Sequence, residues 1–522
     1  MSSTKIALSD ERRPSVLRNV MISCRSLSQY EVTNFKVLIP QLIAALIAMC
    51  PNIIVGITYA YSAIMVPQLM EEQNSTDPSV VRVTKDEISW ITSCLMLSTM
   101  IGALSAGVIM DIVGRLNMLK LMAIPNLLGW SMLALGHNVP MLIGGRILTG
   151  IALIWSANPT AVYITEVSRP DVRGSFSGMR QLGVSFGMMF VYFKGLYFNW
   201  RTVAWMNCGY TIVFALLTLI VPESPVWLVS KNRMEEAKKS LEWFHRYQPQ
   251  PQNKSASFAE LQLSVLQKDN VIKQKERENL GSNSMVQLFQ MFLQPTGYKP
   301  FLVMTGLYFF QQYCGIHLIV FNGVVFFKEI GTDIDPYIAA SYVGGIRLVI
   351  NILNIYLTKR FNRRTLMMAS GIGMAVCMGT SGLYTKWLQE GSVTAGWIPL
   401  VLLMTYFSFA AIGFLTIPFS IQAEVFPLAI RSLAHAIISV IAGVISFVVL
   451  QTYFSMHDYF GGSSGFVFVL VFMPETHKKK LSEIENYFWN HTTYLSVSQD
   501  DQESSKQTTK NELKLLEVAT KS

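Results

Sequence analysis

Glu166-Val-Ser-Arg-Pro-Asp-Val-Arg173 and Glu424-Val-Phe-Pro-Leu-Ala-Ile-Arg431 share one pattern, a glutamate followed seven residues later by an arginine. Each segment comes just after a long apolar stretch. Each is followed in turn by a Pro-Glu dipeptide, Pro222-Glu223-Ser224-Pro225 in the first case and Pro474-Glu475-Thr476 in the second. A polar signature that recurs with its apolar surroundings half a chain length later marks an internal duplication. Duplicated halves made of apolar spans, with a solute held between them, are how many secondary transporters are built. The reading that follows is a membrane carrier.

Composition agrees. The 522 residues are 51% hydrophobic and only 14% charged, with a mean hydropathy of +0.36, which lies outside the soluble norm. A helix needs roughly 20 apolar residues to cross ~30 Å of hydrocarbon. Such stretches lie near 38–58, 89–110, 119–136, 139–164, 176–197, 203–221, 302–327, 337–357, 366–384, 397–421 and 433–454. Six fall in the first half and five in the second.

The net charge of +9 follows topology and is no nucleic-acid signal. Basic residues crowd the N-terminal tail (Arg12, Arg13, Arg18, Arg25, Lys36), the segment 231–277 and the connection Lys359-Arg360-Phe361-Asn362-Arg363-Arg364. A cytosolic N-terminus puts all three inside, as the positive-inside rule requires. The segment between the first two spans is acidic and carries the sequon Asn74-Ser75-Thr76, expected to be glycosylated outside. The six cysteines lie in the tail or in apolar spans, which implies no disulfide framework. The first apolar run is too long for a signal-peptide core. There is no nucleotide-binding glycine-rich loop and no cluster of metal ligands, so neither catalysis, cofactor nor metal is expected.

The domain reading is a cytosolic tail (1–36), a six-helix half (37–222), a cytosolic linker (223–298), a second half (299–476) and a polar cytosolic tail (477–522). Within the linker, 233–247 and 258–279 have helical periodicity with mixed charge. Glu235, Glu236 and Glu242 dilute the basic face of the first, which argues against a calmodulin-type target.

These motifs, in this order, resemble the sugar porters of the major facilitator superfamily, especially the insect facilitated trehalose and glucose transporters. The resemblance covers about 38–488 and rests on specific pieces. They are Asp111-Ile-Val-Gly-Arg115, Gly145-Arg146, Glu166 through Gly174, Gln181-Leu182 with Gly187, Pro222 through Leu228, Gln311-Gln312 with Gly315, Arg363-Arg364, Glu424 through Arg431 and Pro474-Glu475-Thr476. It implies an all-α membrane fold of two pseudo-symmetric six-helix halves with a sugar-binding cavity between them.

Physical chemistry supports roles for two sets of residues. Ionised groups in hydrocarbon cost several kcal/mol, so charges at span ends must pair or reach water. Arg115, Glu166, Arg173, Arg363, Glu424 and Arg431 all fall at cytosolic ends, in matching places of the two halves. They could form ion pairs across the halves that close the inner mouth, a two-state element of the kind alternating access needs; the plainer reading is that they staple helices within each half. Gln181, Gln311 and Gln312 interrupt apolar spans. An amide both donates and accepts, which suits sugar hydroxyls, although it can also glue helices together. The proton-coupled members of the family place an Asp in the first span; no Asp or Glu occurs between Val37 and Met70 here, which favours downhill transport.

The chain departs from the family around its cavity. Cys314-Gly315-Ile316-His317, then Phe321 and Asn322, stand where the family has Ser-Gly-Ile-Asn and a Tyr pair. Arg347 replaces a sugar-facing Asn, Thr416-Ile417-Pro418-Phe419 replaces Pro-x-Pro-Trp, Ala442-Gly443 replaces Asn-Trp, and Lys359 replaces a gate Glu. An intramembrane Arg is a functional candidate that attracts carboxylate or phosphate when it faces a cavity. His317 reads as a neutral, hydrogen-bonded histidine rather than a pH switch. The twelfth span looks truncated, since after Ser455 to Ser464 only Gly465 to Met473 is continuously apolar, about 14 Å of helix. A short or re-entrant last segment is expected, with the tail still cytosolic and the sequon at Asn490 unglycosylated.

The leading reading is thus a plasma-membrane facilitator of a hexose or trehalose-like disaccharide, whose partners are that solute and the lipid bilayer. A same-fold carrier of an organic anion or polyol, and a non-transporting sensor or defective variant, remain as alternatives. The sequence does not specify an oligomeric state.

Overall fold

The structure is a computed structural model that describes residues 35–73, 81–169, 172–248, 257–279, 292–330, 334–389, 397–426 and 430–451. Asn74 and the twelfth span lie outside the described residues. Regular structure among the described residues is helical, with no strand.

In the first half, α1 (Phe35–Ala60) and α2 (Ser62–Glu72) form span 1, and α3 (Lys85–Val113) forms span 2. Next come α4 (Arg115–Leu121) with α5 (Ala123–Ala134), then α6 (Val139–Val167), α7 (Arg173–Gly195) and α8 (Trp200–Leu217), which supply spans 3 to 6. Among the described residues, three helices connect the halves: α9 (Pro225–Ser230), α10 (Met234–Phe244) and α11 (Phe258–Asn279). In the second half, span 7 is α12 (Pro295–Tyr313) plus α13 (Ile316–Ile330), and α14 (Pro336–Arg360) and α15 (Arg363–Gln389) are spans 8 and 9. Span 10 is α16 (Ile398–Ile412) plus α17 (Ile417–Val425), and α18 (Arg431–Gln451) is span 11.

Among the described residues, five helical stretches are both long and apolar enough to cross a membrane, at 36–72, 85–113, 139–167, 336–358 and 398–419. The remaining expected spans are interrupted, as at Met122, or carry charge, as α7 does with Arg180 and Lys194.

Helix ends follow local chemistry. Thr84 and Glu87 form a reciprocal capping box at the start of α3, with the Thr84 N–H donating to Glu87 Oε2 at 2.7 Å. Asn138 caps α6, its side chain accepting from the Met141 N–H at 3.0 Å. The break at Tyr61 in span 1 is matched by Arg146, a fully buried guanidinium from α6. It donates to the Thr58 carbonyl at 3.2 Å, to Ser62 Oγ at 2.5 Å and to the Ile91 carbonyl at 3.4 Å. Buried charge is tolerable only when its donors are engaged in this way.

The helices pack closely where small residues permit it. Gly56 of α1 lies against Val184 of α7, and Gly187 of α7 against Ile53 of α1; a Cβ on either glycine would sit about 2 Å from the opposing carbonyl oxygen. Such stripes let backbones touch, which is what drives helix association when lipid supplies no hydrophobic force. Between the halves, α7 lies along α14 and α3 along α18, so spans 5 and 8 pair in one place and spans 2 and 11 in another. Spans 1 and 7 meet through α2 and α13. These three contacts enclose the centre of the bundle.

Candidate functional site

Two of the central helices are broken at the middle of the bundle. Span 7 breaks at Cys314 and Gly315; Gly315 has φ +83, a backbone region that suits glycine, and Asn322 is a second non-helical point. Span 10 breaks over 413–416, ahead of Pro418 at the start of α17. Broken helices strand carbonyl groups, and away from water these must find partners. Side chains from neighbouring spans supply them. Gln311 Nε2 donates to the Phe414 carbonyl. Tyr406 Oη donates to the Cys314 carbonyl at 2.5 Å. Asn354 Nδ2 donates to the Ala411 carbonyl at 2.9 Å and to Thr416 Oγ1 at 2.7 Å, and Ser370 Oγ donates to the Phe409 carbonyl at 2.6 Å.

The expected cavity residues collect around these breaks. Gln311 and Gln312 are buried, and the Oε1 of each has no protein partner. Gln311 therefore does two jobs, holding the span-10 break through its nitrogen and offering an acceptor through its oxygen. Tyr308, one helical turn before Gln311, donates to Gln422 Oε1 at 2.6 Å. Gln181 is half-buried on α7, where its carbonyl accepts from Ser185 Oγ at 3.0 Å. His317 is half-buried just beyond Gly315, its ring edge-on to Tyr59 at 6.5 Å and its Nδ1 without a partner. Arg347 is 5% exposed, lines a cavity between the halves with Met188, Tyr192, Val320 and Phe327, and places Nη1 3.0 Å from Met188 Sδ.

Several central residues escaped the sequence reading. Tyr59 contacts both His317 and Phe321, the latter at 6.0 Å between ring centres. Arg180, beside Gln181, lies within electrostatic reach of Tyr59 and Tyr308. Asn351 ties the halves by donating to Ser185 Oγ at 2.6 Å. An Arg inside an apolar run was the signal that could have found Arg180, as it found Arg347.

At the end of the bundle bearing Arg115, that residue forms a network with Glu166, Glu223 and Ser224. Arg115 Nε donates to both Glu166 oxygens at 3.2 and 3.1 Å, and its Nη2 to Oε1 at 3.0 Å. Ser224 Oγ donates to Glu166 Oε2 at 2.5 Å. Glu223 accepts from the backbone N–H groups of Arg115, Leu116 and Asn117 at 3.0 to 3.3 Å, so it caps the start of α4. All of these bonds lie within the first half and its linker. Arg173 and Arg431 open α7 and α18, Glu424 lies in the last turn of α17, and Arg363 opens α15. At the opposite end, an ion pair the sequence reading did not anticipate joins the two halves: Lys328 of α13 donates to Glu71 of α2. Deeper in the bundle, Tyr192 Oη donates to the Val320 carbonyl at 2.8 Å, again between halves.

Comparison with known proteins gives this geometry a family context. Residues 44–488 match the family described as Sugar (and other) transporter. The chain is 30% identical to the facilitated trehalose transporter Tret1 of Apis mellifera ligustica, over 86% of this chain and 88% of that one. It is 28% identical to Tret1 of Bombyx mori, over 85% and 86% of the two chains. Among solved structures, the inward-open xylose transporter XylE from E. coli superposes with a TM-score of 0.66, covering 85% of this chain and 98% of that one. At 21% identity, that last likeness speaks for the fold.

Proposed function

We propose, since the chain belongs to the sugar (and other) transporter family, that it carries a hexose or a trehalose-like disaccharide down its gradient across the plasma membrane. Membership makes the chain a multi-pass transmembrane sugar transporter and not an enzyme. The observation that carries the finer reading is the pair of buried amides beside the span-7 break, whose Oε1 atoms have no protein partner. An unpartnered acceptor in an apolar interior is costly, and a sugar hydroxyl would complete it. The absence of any Asp or Glu between Val37 and Met70 supports an uncoupled carrier.

In this account the Arg115–Glu166–Ser224 network, with Arg173 and the counterparts Arg363, Glu424 and Arg431, controls a mouth that faces the cytosol. Both termini lie there, and Asn74 carries glycan outside. The Glu71–Lys328 pair and the meeting of α2 with α13 close the outer mouth. The broken spans 7 and 10 give the centre two hinges, so that one half can rock against the other around the bound solute. Uptake of labelled trehalose and glucose into oocytes tests the reading; no uptake of either by surface-localised protein would overturn it.

Gln312→Ala weakens apparent affinity by about ten- to a hundredfold, the loss of hydrogen bonds worth ~1–3 kcal/mol, with surface protein unchanged. Gln311→Ala does the same and also lowers the melting temperature, because it releases the Phe414 carbonyl. Uptake kinetics and thermal unfolding separate the two, and wild-type kinetics in both would remove these residues from the site. Lys328→Ala opens the outer mouth only modestly, since an exposed pair is worth ~0–1 kcal/mol. Labelling of an introduced Val320→Cys by an impermeant thiol reagent should rise by up to about fivefold. Labelling that does not rise would show that the pair does not hold the mouth closed.

A further inference from the structure

Among the described residues of spans 1, 5, 7 and 8, the centre of the bundle carries positive charge with no carboxylate on the central stretches of the same spans. Spans 1, 5, 7 and 8 meet there, and between Val37 and Met70, Phe176 and Gly195, Tyr298 and Lys328, and Tyr337 and Thr358 the sequence has no Asp or Glu. Two guanidinium groups enter this region from opposite halves, Arg180 from α7 and Arg347 from α14. Both lie within electrostatic reach of the same Tyr59. His317 stands on the third side, edge-on to Tyr59 and within reach of Arg347.

None of these groups is used up by the protein. Arg347 is 95% buried by its 5% exposure, yet its Nε has no hydrogen-bond partner and its Nη1 faces only the weak acceptor sulfur of Met188. The contrast with Arg146 is direct: that guanidinium, equally deep, is spent on two carbonyls and a hydroxyl. Arg180 is half-buried and forms no hydrogen bond or ion pair among the described residues. His317 Nδ1 is likewise buried and unpartnered. A buried cation without a counter-charge is costly, and the cost is removed when an anion arrives with oxygens to fill the fork.

We propose that Arg180, Arg347, Tyr59 and His317 form an anion-binding subsite, and that the preferred solute is a sugar bearing one anionic group, a carboxylate or a phosphate. The amides Gln311 and Gln312, two turns or less before His317 on the same span, would hold the ring hydroxyls while the two guanidinium groups clasp the charged substituent. This rests on the sugar-carrier reading and names the class of solute within it.

The test uses the purified full chain in liposomes, with labelled glucose counterflow and with unlabelled glucose, glucuronate and glucose 6-phosphate as competitors. Thermal unfolding of the detergent-solubilised protein with each compound runs in parallel. Expected is inhibition by glucuronate or glucose 6-phosphate at roughly tenfold lower concentration than by glucose, with stabilisation by the same compound. Whichever anion competes better identifies the substituent. Arg347→Gln and Arg180→Gln should each erase the anion's advantage, and Arg347→Lys should keep part of it. Glucose counterflow in which neither anion outcompetes glucose overturns the subsite and leaves the carrier reading standing. Stabilisation by an anion, lost in Arg347→Gln, without counterflow of any solute overturns the carrier reading and leaves the subsite. Neither effect overturns both.

Discussion

Gly187→Ala is expected to leave little folded carrier at the cell surface, whereas Gly107→Ala is expected to behave as wild type. The same single methyl is added in both. At Gly187 it would lie 2.0 Å from the Ile53 carbonyl oxygen and 2.9 Å from its carbon, and at Gly107 it meets nothing within 4 Å. The obstruction is backbone, which cannot turn aside as a side chain can. Overpacking typically costs ~1–3 kcal/mol, and here α1 and α7 must separate along their whole contact, since Gly56 makes the reciprocal approach. Gly107 lies exposed in the C-terminal third of α3, where replacing a helical glycine by Ala contributes roughly 0.5–1 kcal/mol of stability. Surface biotinylation and the melting temperature of the purified protein check both. Equal behaviour of the two variants would mean that α1 and α7 do not meet as described.

The second large effect is expected at Glu223. In Glu223→Ala the N–H groups of Arg115, Leu116 and Asn117 lose their acceptor, and Gly114 before them offers no side chain in its place. Each donor left unpaired costs on the order of 1–3 kcal/mol where water does not reach it. The Ser224 N–H loses its bond to Glu223 Oε1 (2.9 Å) as well, whereas the Ser240 Oγ bond to the backbone carbonyl of residue 223 (2.7 Å) remains and keeps the linker attached. Maximal uptake should fall by at least about tenfold, while apparent affinity changes little, since Glu223 is remote from Gln311 and Gln312. Hydrogen exchange at Arg115, Leu116 and Asn117 should rise in the same variant. Wild-type maximal rate with unchanged exchange would show that this carboxylate is not a cap.

The sequence made the apolar spans legible because lipid leaves the backbone no alternative to an apolar helix. It was less informative wherever a remote group decides the outcome. Span 3 was expected from 119 but is helical from Arg115, because its first turn is capped by Glu223, more than a hundred residues away. Span 1 was expected to end at 58 and continues to Glu72 past Tyr61; Arg146 and Ser62 support that break, and they come from different spans. The breaks in spans 7 and 10 were signalled locally by Gly315, Gly413 and Pro418, but an apolar run read for hydropathy alone looks continuous. At the site, amides in apolar spans were visible as anomalies. Tyr59 was not, because a tyrosine in a span is ordinary. Asn351 and Asn354 went unread for a different reason: their partners Ser185 and Ala411 are defined only by folding. Glu71 and Lys328 sit at loop edges, where charges are common, and only the meeting of α2 with α13 gives them a role.

The central claim, a gradient-driven sugar carrier, is tested most directly by loading the purified chain into liposomes and following labelled glucose and trehalose to equilibrium. The account predicts that at least one of them enters faster than into protein-free vesicles. It should stop at equal concentration inside and out, indifferent to an imposed pH gradient or a protonophore. Entry no faster than into protein-free vesicles for both sugars, or accumulation above the outside concentration that collapses with a protonophore, would contradict it.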